Sequence, residues 1–180
     1  MVKEPRAGRV KTRLGRSIGM TGAAWWYRHQ TAHLLRHIAD PRWCVILAVA
    51  PDREGLQSRV WSPQFPRQAQ GQGDLGQRMA RLLRGTQGPT VLIGSDIPAI
   101  RRHHLNAAFR ALGQAPGVIG PAPDGGFWLV GLRHPARAPS RLFVGVRWSH
   151  AQTLTDTLPT LPQPVALIDT LRDVDEAGDL

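Results

Sequence analysis

Short apolar runs alternate with amphipathic stretches along the whole chain. This alternation is typical of a sheet covered by helices. The runs at residues 43–50 and 90–95 are continuously aliphatic or β-branched, which predicts strands buried on both faces. Four later runs, GVIG, FWLVGL, LFVGV and VALID, predict further strands. The pattern therefore predicts an α/β fold, and 180 residues are enough for one domain spanning residues 1–180.

The amphipathic stretches between these runs predict four helices. The first begins at Thr21 or Gly22 and extends to about Ala39, with its apolar side chains on one face. The other three carry a capping or terminating residue: Asp74 before LGQRMARLLRG, Gly113 after RRHHLNAAFRAL, and Ser149 before HAQTLTDTL.

The chain is strongly basic, with a formal net charge of +10. Such a charge favours anionic partners in general. However, the arginines are scattered through every segment, and aromatic residues are not interleaved with them as a base-stacking surface requires. A nucleic-acid partner is therefore not expected, and a non-catalytic RNA-binding module is kept only as an alternative.

The single cysteine, Cys44, excludes a disulfide framework and a Cys-rich zinc site. It lies in the apolar run WCVILAVA and is expected to be a small buried hydrophobic residue. No run approaches the roughly 18 apolar residues of a membrane span, and no apolar signal region follows the basic start. We expect a cytoplasmic protein with no membrane span.

The opening stretch MVKEPRAGRVKTRL contains both lysines of the chain, Lys3 and Lys11, whereas every other basic position is arginine. Gly8 permits backbone conformations closed to other residues, and backbone N–H groups at such a turn form a cradle for anions. The side chains of Lys11, Thr12 and Arg13 suit a phosphate group. The pattern alone is equally compatible with an ordinary basic loop.

Two sets of carboxylates are candidate ligands for Mg²⁺ or Mn²⁺. Asp96 closes the buried run in LIGSDIP, where the carboxyl ends of strands form a ligand crevice. Asp173 and Asp175 alternate in DVDEAGD, so in an extended segment they would present two carboxylates on one face. The alternatives are a helix cap at Asp96 and an exposed acidic turn at the end of the chain.

The stretch GPAPDGGFWLVG favours a hairpin turn, because Asp-Gly lies between two apolar runs. It also has a functional interpretation, in which Asp124 accepts hydrogen bonds from substrate hydroxyls. Gly125 and Gly126 would then let the backbone approach a ligand, and Trp128 or Phe127 would pack on a sugar or base, although an aromatic residue here is more often in the core.

Six blocks of sequence follow one another along the chain: KEPRAGRVKTRL, QGQGDLGQRM, IGSDIP, GPAPDGGFWLVGL, LFVGVRWS and DVDEAGDL. Together they resemble a bacterial family of GT-A-type nucleotide-diphospho-sugar transferases, the arsenosugar-biosynthesis-type glycosyltransferases. The chain is more distantly similar to guanylyltransferases of the phospholactate and molybdenum-cofactor type. The resemblance implies a Rossmann-like GT-A fold with a mixed, mostly parallel sheet and helices on both faces.

The resemblance also implies roles and partners. The partners would be a nucleotide-sugar and a small-molecule acceptor with Mg²⁺ or Mn²⁺, or alternatively a nucleoside triphosphate from which pyrophosphate departs. Asp124 is the candidate catalytic residue, orienting the sugar or the acceptor. The positions that match the family's motifs are Lys3, Gly8, Lys11, Thr12 and Arg13 for the nucleotide phosphates, and Asp96, Asp173 and Asp175 for the metal.

The chain departs from that family at both ends. Only Met1 and Val2 precede the opening loop, so the first strand is expected to be missing or truncated. The chain also stops at Leu180, where members of the family continue into a further helix. The sequence predicts no oligomeric state.

Overall fold

The computed structural model describes residues 1–174 and Gly178. The strands are β1 (Val2–Lys3), β2 (Leu47–Ala50), β3 (Arg67–Ala69), β4 (Thr90–Ile93), β5 (Gly117–Pro121), β6 (Phe127–Leu132) and β7 (Val165–Leu167). The helices are α1 (Thr12–Ile18), α2 (Met20–Ile38), α3 (Asp52–Gln57), α4 (Leu75–Arg84), α5 (Arg102–Leu112) and α6 (Thr153–Thr157). None of the helices in this part of the chain is both long and apolar enough to cross a membrane.

The chain divides into two compact units. Of the described residues, the first contains 1–70, 94–102, 173, 174 and 178, and the second contains 71–93 and 103–172. The first unit has a three-stranded parallel sheet in the order β1-β2-β3. The second has a four-stranded mixed sheet in the order β4-β6-β5-β7. That the chain forms one domain stays a prediction.

The strand before the opening loop is present as two residues, β1, which pairs in parallel with β2. The buried Gln70 side chain supports this short pairing, because its Nε2 donates to Val2 O at 3.1 Å and to Ala48 O at 2.8 Å. One buried amide thus binds a carbonyl on each of the two strands, in addition to the pairing of the strands themselves. The first strand is therefore not missing, and that it is truncated stays a prediction.

Helix α2 has the buried face that the sequence predicts. Tyr27, Leu34 and Ile38 are buried on it, and β1 contacts the helix through a hydrogen bond from Lys3 N to the Tyr27 hydroxyl. In the second unit α4 begins with a full capping box, in which Asp74 accepts from Gln77 N and Gln77 accepts from Asp74 N. These helices begin and end close to their predicted positions because their signals are local.

Several predicted elements are wrong or shortened. The run LFVGV is not a strand, because Phe143 and Gly145 have φ of 62° and 78°, which are incompatible with extended backbone. Ser149 caps no helix, since its φ is 55° and α6 begins only at Thr153. The strand predicted from residue 43 begins at Leu47. Strand β3 and helix α3 were not predicted at all.

Cys44 is exposed, not buried as its apolar run suggested. It precedes the first residue of β2, so it does not share the burial of that strand. Apolar neighbours in sequence predict a buried strand, but they do not fix where the strand begins.

Candidate functional site

The opening loop connects β1 to α1 and is fixed at both ends. At its start Glu4 N donates to Ala50 O at 2.8 Å, and a turn follows in which Arg9 N donates to Arg6 O at 3.0 Å. Gly8 in that turn has φ of 75°, which an L side chain rarely adopts. Val10 is buried at the end of the loop. The loop is therefore a defined turn and not a loose basic segment.

Lys11 has an unusual position for a lysine. Its backbone is left-handed, with φ of 46°, at the residue before α1. Its side chain is only 6% exposed, and Nζ lies 2.6 Å from Oδ2 of Asp96, whose side chain is 33% exposed. Lysines are almost never this buried without a charged partner. The contact explains why a mobile ammonium is buried here.

Asp96 is held by groups from distant parts of the chain. Its backbone O accepts from Val174 N at 3.1 Å. The neighbouring Ser95 shares a 2.8 Å hydrogen bond with the Tyr27 hydroxyl, which also accepts from Lys3 N at 3.0 Å. Helix α2 and strand β1 are thus linked to Ser95, and the segment around Val174 is linked to Asp96 beside it.

Two further groups, the Tyr27 phenol and the Met1 amino group, have shifted pKa values to which the charge of Asp96 contributes. Burial raises the pKa of the Tyr27 phenol above its ordinary value, with the Ser95 and Lys3 hydrogen bonds opposing the shift. Burial also lowers the pKa of the Met1 amino group to about 6, and the negative charge of Asp96 opposes this shift. The Tyr27 hydroxyl and the Met1 amino group are therefore poorly solvated, whereas the Asp96 side chain remains 33% exposed.

The structure brings some of the predicted residues together. Lys11 contacts Asp96, and Asp173 directly precedes the residue whose N–H binds the Asp96 carbonyl. Asp175 lies outside the described residues. The other predicted phosphate ligands are exposed at the end of β1, on the loop or at the start of α1: Lys3, Gly8, Thr12 and Arg13.

The donor set around Asp96 can be compared with what a hard divalent ion requires. Within residues 1–174 and 178 no group of three or more His, Cys, Asp or Glu side chains could hold a metal. Mg²⁺, however, commonly uses only one or two protein carboxylates together with substrate phosphates. Asp96 with Asp173 fits that requirement chemically. Lys11 already contacts one of the oxygens such an ion would use.

In the second unit, residues 122–126 form the turn between β5 and β6, as the Asp-Gly pattern predicts. The exposed Asp124 accepts from Gly126 N at 2.9 Å. Gly125 has φ of 85°, and a Cβ there would lie 2.0 Å from Ala151 O. The close approach that Gly125 permits is therefore to protein backbone, and Leu154 N donates to its carbonyl at 2.8 Å.

Trp128 has the contacts of a core residue. It is 2% exposed, and its indole N–H donates to Asp169 O at 2.8 Å. Its ring also packs edge-on against His104, with 5.9 Å between centroids. The substrate-binding role of Trp128 stays a prediction, as do those of Asp124, Gly125 and Gly126.

Arg147 and Asp156 hold the segment that follows β6 and leads into α6. Arg147 Nε and Nη2 donate to the Asp156 carboxylate at 2.8 and 2.9 Å. These hydrogen bonds lower the pKa of Asp156 from 3.8 to about 2. A group with a lowered carboxyl pKa stabilises the fold above pH 3.8, and that contribution is lost as the pH falls toward 2.

We therefore expect Arg147→Gln to return the pKa of Asp156 toward 3.8. The measurement is an NMR pH titration of the side-chain carboxyl carbons. Asp40 is the internal control, because Arg42 holds its pKa at about 2 independently. An Asp156 titration unchanged by the substitution would contradict the assigned cause.

Sequence reasoning missed the roles of Tyr27 and Gln70. Helical periodicity indicates only that Tyr27 lies on the apolar face of α2, yet it is the single tyrosine of the chain. A buried tyrosine hydroxyl almost always finds a partner, and this is the signal that could have identified it. Gln70 gave no comparable signal, because its partners lie on strands that are distant in sequence.

Comparison with known proteins identifies the family. A family model described as "Uncharacterized protein conserved in bacteria (DUF2064)" matches residues 33–150, more than half of the chain. The chain belongs to the DUF2064 family. No curated protein matches it significantly.

A solved structure is similar to this DUF2064 protein over nearly its whole length. It is the crystal structure of a "putative nucleotide-diphospho-sugar transferase from Desulfovibrio desulfuricans G20". The two chains are 31% identical, with a TM-score of 0.85, and the match covers 97% of this chain and 80% of the other. The DUF2064 protein therefore has the α/β fold of a nucleotide-diphospho-sugar transferase, as expected.

Proposed function

We propose that this DUF2064 protein is a glycosyltransferase that binds a nucleotide-sugar and uses a divalent cation. The observation that carries the proposal is the contact between Lys11 and Asp96, with the segment containing Asp173 bound to the same aspartate. Lys11, a predicted phosphate ligand, thus contacts Asp96, a predicted metal ligand. The resemblance of six sequence blocks to arsenosugar-biosynthesis-type glycosyltransferases supports transfer of a sugar.

In this proposal the opening loop binds the nucleotide diphosphate. Lys11 supplies a mobile point charge, Arg13 a fork that can bind two oxygens, and Thr12 a hydroxyl. Gly8 keeps the turn that presents them. Because negative charge develops on the leaving diphosphate, cations placed there stabilise the transition state more than the substrate.

In this proposal the carboxylates of the first unit bind the cation. Asp96 would hold Mg²⁺ or Mn²⁺ together with Asp173 and Asp175, and the ion would supply further stabilisation of phosphate charge when bound. Asp124 is the proposed group that orients a hydroxyl of the sugar or of a small-molecule acceptor. Its second oxygen is open to this task, because the hydrogen bond to Gly126 uses only Oδ1.

The experiment is a binding screen of nucleotide-sugars and nucleoside triphosphates, with and without Mg²⁺ or Mn²⁺. A ligand at 100 times its dissociation constant raises the free energy of unfolding by about 2.7 kcal/mol, which a thermal-shift assay detects. We expect a nucleotide-sugar to stabilise the wild type only with the cation. Arg13→Gln should weaken this binding, whereas Arg16→Gln, the same change on an exposed residue of the same helix, should not.

Product analysis separates the alternatives. Release of pyrophosphate only from nucleoside triphosphates would favour a nucleotidyltransferase of the guanylyltransferase type, which would use the same groups. Binding that falls steeply with salt and ignores divalent cations would favour an RNA-binding module. Transfer of a sugar from a nucleotide-sugar would support the proposal.

A further inference from the structure

We propose that Lys11 and a divalent cation compete for the carboxylate of Asp96, so that the cation and the nucleotide diphosphate bind with strong positive coupling. The inference rests on the proposed function and concerns the regulation of the same site. It assigns Lys11 a second role beyond phosphate binding, as the group that keeps Asp96 neutralised while no ligand is bound.

The competition follows from the distance between the two groups. Lys11 Nζ lies 2.6 Å from Asp96 Oδ2, so the ammonium is in direct contact with the carboxylate. A cation bound to that carboxylate would lie within a few ångströms of the ammonium. Like charges repel strongly at such distances where solvent is scarce, and the Lys11 side chain is only 6% exposed. The two cations therefore cannot bind the carboxylate together without a cost.

Coupling follows from the charge balance. A cation arriving alone would displace the Lys11 ammonium from its carboxylate, and a diphosphate arriving alone would draw the ammonium away from Asp96. Either event separates the ion pair and leaves one of its two members without the opposite charge that it contacts, and the Lys11 side chain is largely shielded from water. When both ligands arrive, Lys11 exchanges the carboxylate for a phosphate oxygen, and Asp96 exchanges the ammonium for the cation. By thermodynamic linkage, the cation must raise the affinity for the diphosphate by the same factor by which the diphosphate raises the affinity for the cation.

The backbones of Lys11 and Asp96 are held by hydrogen bonds, so the exchange of partners requires only side-chain movement. The left-handed backbone of Lys11 is fixed by a 2.8 Å hydrogen bond from Gly15 N to Lys11 O and by the buried Val10 beside it. Asp96 is fixed through its own carbonyl, which accepts from Val174 N. A lysine suits the exchange, because its ammonium is compact and moves on a flexible four-carbon stem. This gives a physical reason for a lysine in a chain whose other basic residues, apart from Lys3, are arginines.

The first test measures Mn²⁺ alone, by the loss of its free-ion EPR signal on binding. We expect weak binding to the wild type and to Arg16→Gln, and at least a tenfold higher affinity in Lys11→Met. Lys11→Gln serves as a second variant in case Lys11→Met folds poorly, and a thermal melt checks both. Adding Asp96→Asn to Lys11→Met should abolish the gain, which would locate the ion at this carboxylate.

The second test measures UDP and GDP by titration calorimetry, in EDTA and in saturating Mn²⁺, with protein-free blanks subtracted. We expect Mn²⁺ to raise the affinity of the wild type for at least one of them tenfold or more, and to raise that of Lys11→Met much less. Equal Mn²⁺ affinities of the wild type and Lys11→Met would overturn the proposal. Nucleoside-diphosphate affinities that are independent of Mn²⁺ in the wild type would overturn it as well.

The two proposals can fail separately. If Mn²⁺ and the nucleoside diphosphates follow the expected pattern but no sugar is transferred, the coupling stands and the glycosyltransferase proposal fails. If sugar is transferred while Lys11 has no effect on Mn²⁺ binding, the coupling is wrong and the enzymatic proposal stands.

Discussion

Asp96→Asn is expected to lower the free energy of unfolding by about 3 kcal/mol and to abolish cation-dependent nucleotide binding. The stability loss arises because the nearly buried ammonium of Lys11 loses its carboxylate partner. Removing one member of a buried ion pair costs about 3 to 5 kcal/mol, and the partial exposure of Asp96 places this case at the lower end. Urea unfolding measures the first effect, and thermal shift with Mg²⁺ or Mn²⁺ and nucleotides measures the second.

Asp74→Asn is the matched control, because it makes the same chemical change at a position where it should matter little. Asp74 caps α4, and asparagine caps helices about as well as aspartate. Equal unfolding curves for the two variants would show that the Lys11–Asp96 contact contributes nothing to stability. Undiminished binding by Asp96→Asn would remove Asp96 from the proposed metal site.

Gly125→Ala is expected to lower the free energy of unfolding by about 3 kcal/mol or more. The new Cβ would lie 2.0 Å from Ala151 O, so the backbone near α6 or the β5–β6 turn must move. Overpacking of this kind costs about 1 to 3 kcal/mol, and the left-handed backbone at φ of 85° adds about 1 to 2 kcal/mol of strain for a residue with a Cβ. Urea unfolding measures the sum.

Gly8→Ala separates the two causes. Gly8 has φ of 75°, yet nothing lies within 4 Å of an added Cβ, so only the backbone strain applies. We expect a loss of about 1 kcal/mol there. If Gly8→Ala and Gly125→Ala were equally destabilised, the close approach of Ala151 would have no energetic consequence, and the assigned packing would be wrong.

The elements that sequence predicts well are those whose signals are local. Helix α4 has Asp74 and Gln77 at capping-box spacing, and the β5–β6 turn has Asp-Gly between two apolar runs. The predicted buried face of α2 is also observed, because helical periodicity over 19 residues averages out single exceptions. In each case the residues that decide the structure lie within a few positions of one another.

The failures have tertiary causes. The run LFVGV has high strand propensity, but it forms turns in which Phe143 N donates to Thr160 Oγ1 and the Phe143 side chain is buried. Such packing overrides a weak local preference. Strand β3, with the sequence RQA, is a strand because it pairs with β2, which its three residues do not predict.

The sequence predicts which residues belong to the candidate site, but it does not predict that Lys11 and Asp96 contact each other. Residue types and motif order predicted that Lys11 and Asp96 would serve one ligand. Their direct contact depends on how α1 and the residues after β4 are positioned, and on Tyr27, whose hydroxyl bonds Ser95. Long-range contacts of this kind are set by the whole fold, so a local pattern cannot specify them.

The two lysines differ in their exposure to solvent, and this difference matters for chemical labelling of the folded protein. Lys3 is exposed at the end of β1, directly before the opening loop, whereas the Lys11 side chain is largely shielded. An acylating dye or spin label directed at lysine side chains should therefore attach at Lys3 far faster than at Lys11. Such a probe would report on the loop without any engineered residue.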